Sequence, residues 1–318
     1  MKWGGYIGGI YPRSERLIEA TRRSPPNLKN LFIEEKRRII RYQVEAELTY
    51  IADPMIDWQD QLRPLLKLKG VKEGPLNRIY ETNSFYRRPI IVDRIEGGGG
   101  LIRSNLSTDL LPKDKAWKAE LPDPYTFTTL SENRHYRDWI DLMMDLASAL
   151  RMEAKSLEEA GYSLIQINAP SLGQVREEEA IKRIGEAIAR LTKGLNTRFH
   201  LHIYFTDPRP ILDKITEFKV QGIGLDLTQK PDLPSVNLSG KSLACGCIDA
   251  GSTRMERPRD LAEYASKLAE RFGAREAYIC PNHDLEYIPY AFANRKLSRM
   301  KATLKTVSYT HLTLPTKA

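Results

Sequence analysis

The stretch RFHLHIYFTD (198–207) reads as a β-strand. Alternation puts His200, His202 and Tyr204 on one face and Leu201, Ile203 and Phe205 on the other. A strand with apolar residues on one side and two imidazoles and a phenol on the other needs both faces covered, as in a parallel sheet roofed by helices. In a closed parallel barrel, alternate residues point inward, and the C-terminal strand ends line the catalytic rim. His202, Tyr204 and Asp207 would then stand progressively nearer that rim.

Similar apolar runs recur along the 318 residues. Strands are expected at 4–10, 49–54, 125–130, 163–168, 199–205, 222–227, 242–248 and 276–281, alternating with helices at 33–48, 134–160, 175–193, 208–218 and 259–272. Eight strands alternating with helices indicate an α/β protein, a (β/α)8 TIM barrel in a single domain over 1–306. A doubly wound sheet is the alternative. Residues 55–120 break the rhythm and read as an insertion after strand 2, with a hairpin over the barrel mouth and GGGG (97–100) at its tip. Other strand ends also finish in polar residues: Asn168, Asp226, Asp249 and Asn282-His283-Asp284.

Composition narrows the function. Hydrophobic residues make up 41% of the chain, enough for a core, and no apolar run reaches the ~18–20 residues of a membrane span. MKWGGYIGG has no apolar signal segment, and three cysteines (Cys245, Cys247, Cys280) fit a reducing cytoplasm without a disulfide framework. Net charge is +8, yet the basic residues alternate with acids, as in REEEAIKRIGEAIAR (176–190). These are solvated helix faces with i,i+4 pairs, so no nucleic acid and no membrane is expected as a partner. The last segment, VSYTHLTLPTKA (307–318), fits nothing before it and resembles a translated sequencing adapter, so it is set apart from the fold.

Several motifs carry a family resemblance: GIYPRS (9–14), LPDPYTF (121–127), EEAGYSLIQINAP (158–170), HLHIY (200–204), CIDAGSTRMERP (247–258) and CPNHDL (280–285). Together they resemble the C-terminal catalytic barrel of cobalamin-independent methionine synthase in its archaeal stand-alone form. That resemblance implies methyl transfer to homocysteine, whose thiol is activated by zinc. The family's zinc ligands, a His-x-Cys pair, a Glu and a later Cys, fall on His202, Tyr204, Asp226 and His283. Such a set is harder than the sulfur-bearing one and would suit zinc or another divalent transition metal with nitrogen and oxygen donors.

The amino-acid subsite is altered too. The family's ammonium-binding carboxylates fall on Asn168 and near Gln59, and its backbone clamp on Gly9 and Ile10. These changes remove the negative charge that an α-ammonium requires. Asp249 matches a family Asp as an orienting or catalytic group, Glu256 reads as catalytic or as a helix cap, and Arg13 as an anion holder or a structural salt bridge. His200, Cys245 and Cys247 read as interior packing residues.

The expectation is therefore a metal-dependent methyl or alkyl transferase acting on a small thiol acceptor that need not be homocysteine, with a folate or a corrinoid protein as methyl donor. Two alternatives stay open. One is a metal-free enzyme akin to uroporphyrinogen decarboxylase, using Arg13, Arg37 or Arg88. The other is a barrel without chemistry that serves as a binding protein.

Overall fold

The computed structural model describes residues 1–313, with side chains through Ser308. In chain order the elements begin with β1 (Lys2–Gly5), α1 (Glu15–Arg23), α2 (Leu28–Glu45), β2 (Tyr50–Ala52), β3 (Lys69–Arg78), β4 (Phe85–Glu96) and α3 (Leu101–Asn105). There follow β5 (Ala116–Pro122), α4 (Pro124–Leu130), β6 (Glu132–Asn133), α5 (Trp139–Glu159), β7 (Tyr162–Asn168), α6 (Glu178–Thr192) and β8 (Arg198–Ile203). The chain ends with α7 (Leu212–Ile215), β9 (Gly222–Asp226), β10 (Ser242–Ile248), α8 (Pro258–Arg271), β11 (Glu276–Pro281) and α9 (Tyr290–Thr313).

Eight strands form one sheet in the order β1-β11-β10-β9-β8-β7-β5-β2, that of a (β/α)8 barrel. At the closing edge, Thr49 donates its backbone N–H to Gly5 O at 2.8 Å, and Gly5 N donates to Thr49 Oγ1 at 3.1 Å. A separate three-stranded sheet has the order β3-β4-β6.

The chain divides into two compact units, Met1–Ile56 with Gly224–Ala318, and Asp57–Ile223. The first holds α2, whose buried Lys36 ammonium bonds the equally buried Asp53 at the end of β2, at 3.2 Å. In the second, Asp138 caps α5 by accepting from Ile140 N. Leu142, Met143, Leu146 and Leu150 of that helix are fully buried.

Six of the expected strands fall on β2 and β7–β11 with ends shifted by a residue or two, and 242–248 and 276–281 match to the residue. The first strand sits earlier than expected, at Lys2–Gly5. The expected strand at 125–130 is helix α4. Its β-branched and aromatic residues suggest a strand, but Asp123 accepts from Tyr125 N and Thr126 N, and Pro124 occupies the first turn. Cap and proline together start a helix whatever the propensity of the residues behind them. The barrel strand lies just before it, as β5, and takes in residues 116–120 of the stretch expected as an insertion.

The hairpin of that stretch is β3–β4, antiparallel, and its turn falls at 79–84. Its Tyr80 hydroxyl lies 2.6 Å from Ser171 Oγ in the loop after β7, and its ring lies 5.7 Å from that of Phe205 after β8. The tip therefore rests on the C-terminal ends of the strands of its own unit. GGGG (97–100) is not that tip; it follows β4 and packs on α5, where a Cβ at Gly97 would meet Ala149 Cβ at 2.7 Å. Helix α9 continues to Thr313 with Val307 fully buried, and the rest of the segment set apart as 307–318 lies outside the described residues.

Replacing Lys36 with Ala leaves the Asp53 carboxylate buried without its cation. The variant is expected to lose about 3–5 kcal/mol of unfolding free energy, measured by urea titration.

Candidate functional site

The inner wall of the second unit is built by register. Pairing aligns Glu120 of β5 with Gln166 of β7 and His200 of β8, and the next inward layer aligns Pro122, Asn168 and His202. Residues in one register share a face of a parallel sheet, so polar groups distant in sequence meet in two layers.

Asn168 is the hub. Its Nδ2 donates to Glu120 Oε2 at 2.7 Å and to Gln61 Oε1 at 2.8 Å, while its Oδ1 accepts from Gln166 Nε2 at 2.6 Å. Lys118, one layer deeper and fully buried, donates from Nζ to Glu120 Oε1. Gln166 Oε1 is buried and has no hydrogen-bond partner. From the loop after β2 it is Gln61 that reaches Asn168. Gln59, expected there, is solvent-exposed.

His202 is buried beside Asn168, and its ring stands edge-to-face to that of Tyr204, centroids 5.8 Å apart. Tyr204 lies past the end of β8, where Phe205 adopts φ of +61°. His200 is sealed deeper; a Cβ at Gly222 would sit 2.5 Å from its Cδ2, so only glycine admits the ring. Burial, helped by the nearby Arg198, His202 and Lys118 charges, pushes the His200 pKa down to about 3.

The first unit carries its own polar strand ends. Asp226 accepts from Asn282 Nδ2 at 2.9 Å and from Thr228 N and Oγ1 at 3.0 and 2.7 Å. Asn282 Oδ1 accepts from Ala250 N at 2.9 Å, so this amide ties the end of β11 to those of β9 and β10. His283 Nδ1 lies 3.0 Å from Asp284 O; a carbonyl has no proton, so the ring donates and Nε2 carries the lone pair. Burial lowers the His283 pKa, with Asp226 and Asp249 opposing it.

Asp249 Oδ1 accepts from Gly251 N at 2.9 Å, and its backbone N–H donates to Glu256 Oε1. Glu256 is also paired with the buried Lys296, so it organises the loop instead of capping α8. A cleft of about 590 Å³ opens here, lined by Thr228, Cys247, Asp249, Arg254, Glu256 and Tyr264 among others. Its Cys247 thiol is pushed up to about 12 by burial, which keeps it protonated and inert.

The remaining expected groups take structural places. Arg13 donates from Nε to Ile56 O at 2.6 Å and stacks on Phe32. Ile10 O accepts from Glu286 N at 3.0 Å, and the Asp284 carboxylate packs against Gly9. Arg37 is solvent-exposed and Arg88 pairs with Glu132 at 3.6 Å.

Among the described residues no group of three or more His, Cys, Asp or Glu side chains is arranged to hold a metal ion. The expected ligand set, with Tyr204 at the cysteine position, offers nitrogen and oxygen donors and no sulfur. A further site residue, Asp123, has no counterpart among the expected ones. It is fully buried at the end of β5, its Oδ2 lacks a partner, and burial raises its pKa to about 6. The Asp-Pro pair that caps α4 was the signal for it.

Residues 76–270 match the family model described as cobalamin-independent synthase, N-terminal domain. The chain belongs to the cobalamin-independent methionine synthase family. The domain named by that match is the N-terminal one, whereas the motifs resemble the C-terminal barrel. The chain is 29% identical to the methionine synthase of Saccharolobus solfataricus over 94% of its own length and 93% of that protein's. It is 26% identical to that of Sulfolobus acidocaldarius, with coverage of 96% and 94%. Among solved structures it resembles a B12-independent methionine synthase from a Shewanella species in complex with selenomethionine. That match has a TM-score of 0.79 at 20% identity and covers 91% of each chain. A putative one from Listeria monocytogenes follows at 0.73 and 15%, covering 96% of this chain and 98% of that one. The family's members are methyltransferases, so the chain is placed among enzymes.

Two buried groups titrate in opposite senses. An unfolded histidine takes a proton near 6.5 and folded His200 only near 3, so acid favours unfolding between those values. Asp123 takes its proton near 6 when folded and near 3.8 when unfolded, so acid favours the folded chain in that narrower window. Replacing His200 with Gln should remove the acid-destabilising part. Its thermal midpoint should fall less between pH 6.5 and pH 4 than that of the unaltered chain.

Proposed function

We propose that the chain transfers a methyl group to a small thiol acceptor bound on the inner wall of its second unit, and that homocysteine is a poor acceptor. The observation that carries this reading is the Asn168 network. At the strand end where the family resemblance puts an ammonium-binding carboxylate, this chain has a neutral amide bonded to Glu120, Gln61 and Gln166. Family membership supports the reaction class, and the Asn168 network supports placing the acceptor on this wall.

The chain's own residues support a short sequence of events. Asn168 and its amide neighbours orient the acceptor. His202, adjacent to Asn168 in register, takes the thiol proton as general base. The thiolate sulfur attacks the methyl carbon; the S–C bond forms as the donor–methyl bond breaks, and that electron pair stays on the donor. Where the donor is an amine, as in a methylated folate, the proton held on His202 passes to it. A methylated corrinoid protein needs no such proton. Tyr80, resting on Ser171, covers the strand ends and limits water there.

Family members use zinc to activate the thiol; among the described residues no group of three or more His, Cys, Asp or Glu side chains is arranged for such an ion, and no step is assigned to it. The protein is expected to purify with far less than one zinc per chain by mass spectrometry. A stoichiometric zinc that disappears in His202→Ala would overturn the metal-free proton transfer.

Methyl transfer to thiols, assayed with methylated folate and methylated corrinoid donors, should fall by roughly 10²–10⁴ in His202→Ala. Asn168→Leu should raise the acceptor KM. An unaltered protein that methylates no thiol with either donor would favour the silent binding barrel.

A further inference from the structure

The carboxylate on this wall is already engaged by an ammonium from the chain itself. Lys118 is fully buried with its Nζ on Glu120 Oε1, and the other oxygen, Oε2, accepts from Asn168. The groups around that pair, Asn168, Gln166 and Gln61, are neutral amides, and His200 is an uncharged ring. A second ammonium entering among these inward side chains would find Glu120 already paired with Lys118, and a buried cation without a counter-charge is strongly disfavoured. Within this amide network the buried carbonyl Gln166 Oε1 has no hydrogen-bond partner. A neutral hydroxyl or amide N–H satisfies it without introducing charge.

We infer that Lys118 and Glu120 set the acceptor class: a thiol bearing a neutral hydrogen-bond donor, a mercapto-alcohol or mercapto-amide, and no ammonium. The inference rests on the reading that the acceptor binds at the Asn168 wall, and it deepens that reading by naming which thiols the wall admits. Lys118 acts as a specificity-determining residue by occupying the charge that a substrate amine would need. Gln166 supplies the positive selection, since a ligand without a donor leaves its carbonyl buried and unmet.

The test is binding of a matched pair, 3-mercapto-1-propanol and 3-mercaptopropylamine, which differ only in hydroxyl against ammonium. Dissociation constants are read at neutral pH by ligand-observed NMR on the whole chain. The alcohol is expected to bind at least about tenfold more tightly than the amine. In Lys118→Met, where Glu120 loses its internal cation, the preference should shrink or reverse. Gln166→Leu keeps a similar volume and leaves the Lys118–Glu120 pair in place; it should weaken the alcohol by roughly tenfold and leave the amine unchanged.

Equal binding of the two probes by the unaltered chain overturns the inference. So does an unchanged ratio in Lys118→Met, or, if that variant does not fold, an unchanged alcohol affinity in Gln166→Leu. Binding of neither probe overturns it as well. The methyl-transfer assay judges the broader reading separately: transfer to an amino-thiol with poor binding of the alcohol would sink this inference and leave that reading standing.

Discussion

The inner wall of the second unit depends on a buried carboxylate with two different neighbours. Glu120 is bound by the Lys118 ammonium on one oxygen and by the Asn168 amide on the other. A carboxylate out of water is tolerated only when paired and hydrogen-bonded, and here both conditions are met within three inward layers of the same two strands. Asn168 in turn fixes the Gln166 and Gln61 amides and stands in register with His202. The site is thus a lattice of side chains held by strand register, and its electrostatics follow from a pair that cancels its own charge.

The first unit organises its strand ends on a different principle. One amide, Asn282, accepts from the loop after β10 and donates to Asp226 at the end of β9. Asp249 and Glu256 are spent on backbone N–H groups of their own loop. Polar residues at barrel strand ends are expected to serve chemistry, but many of these are committed to holding loops in shape.

Family membership and local chemistry act at different levels here. The barrel and its reaction class come from descent, visible as a match over 76–270 and as full-length likeness to methionine synthases. The proposed acceptor does not come from descent; it is argued from the neutral Asn168 amide and its partners on the inner wall. A fold hosts many sites, and the side chains in the site decide which ligands are accepted.

The sequence by itself determined the architecture. Alternating apolar strands and amphipathic helices were legible because burial on both faces of a parallel sheet imposes that pattern over the whole chain. His202, Asn168 and Asp226 were legible as strand-end residues for the same reason. The tertiary structure alone decided which residues met. Gln61 rather than Gln59 reaches Asn168, because one loop residue more or less changes which side chain turns inward. Lys118 and Glu120 were missed, since two charges in AWKAELP hide a strand whose inward face is polar. The helix at 124–130 was missed because an Asp-Pro start outweighs the β-propensity that follows. Spacing along a chain carries periodicity; partners across strands depend on register, and register is set only when the sheet assembles.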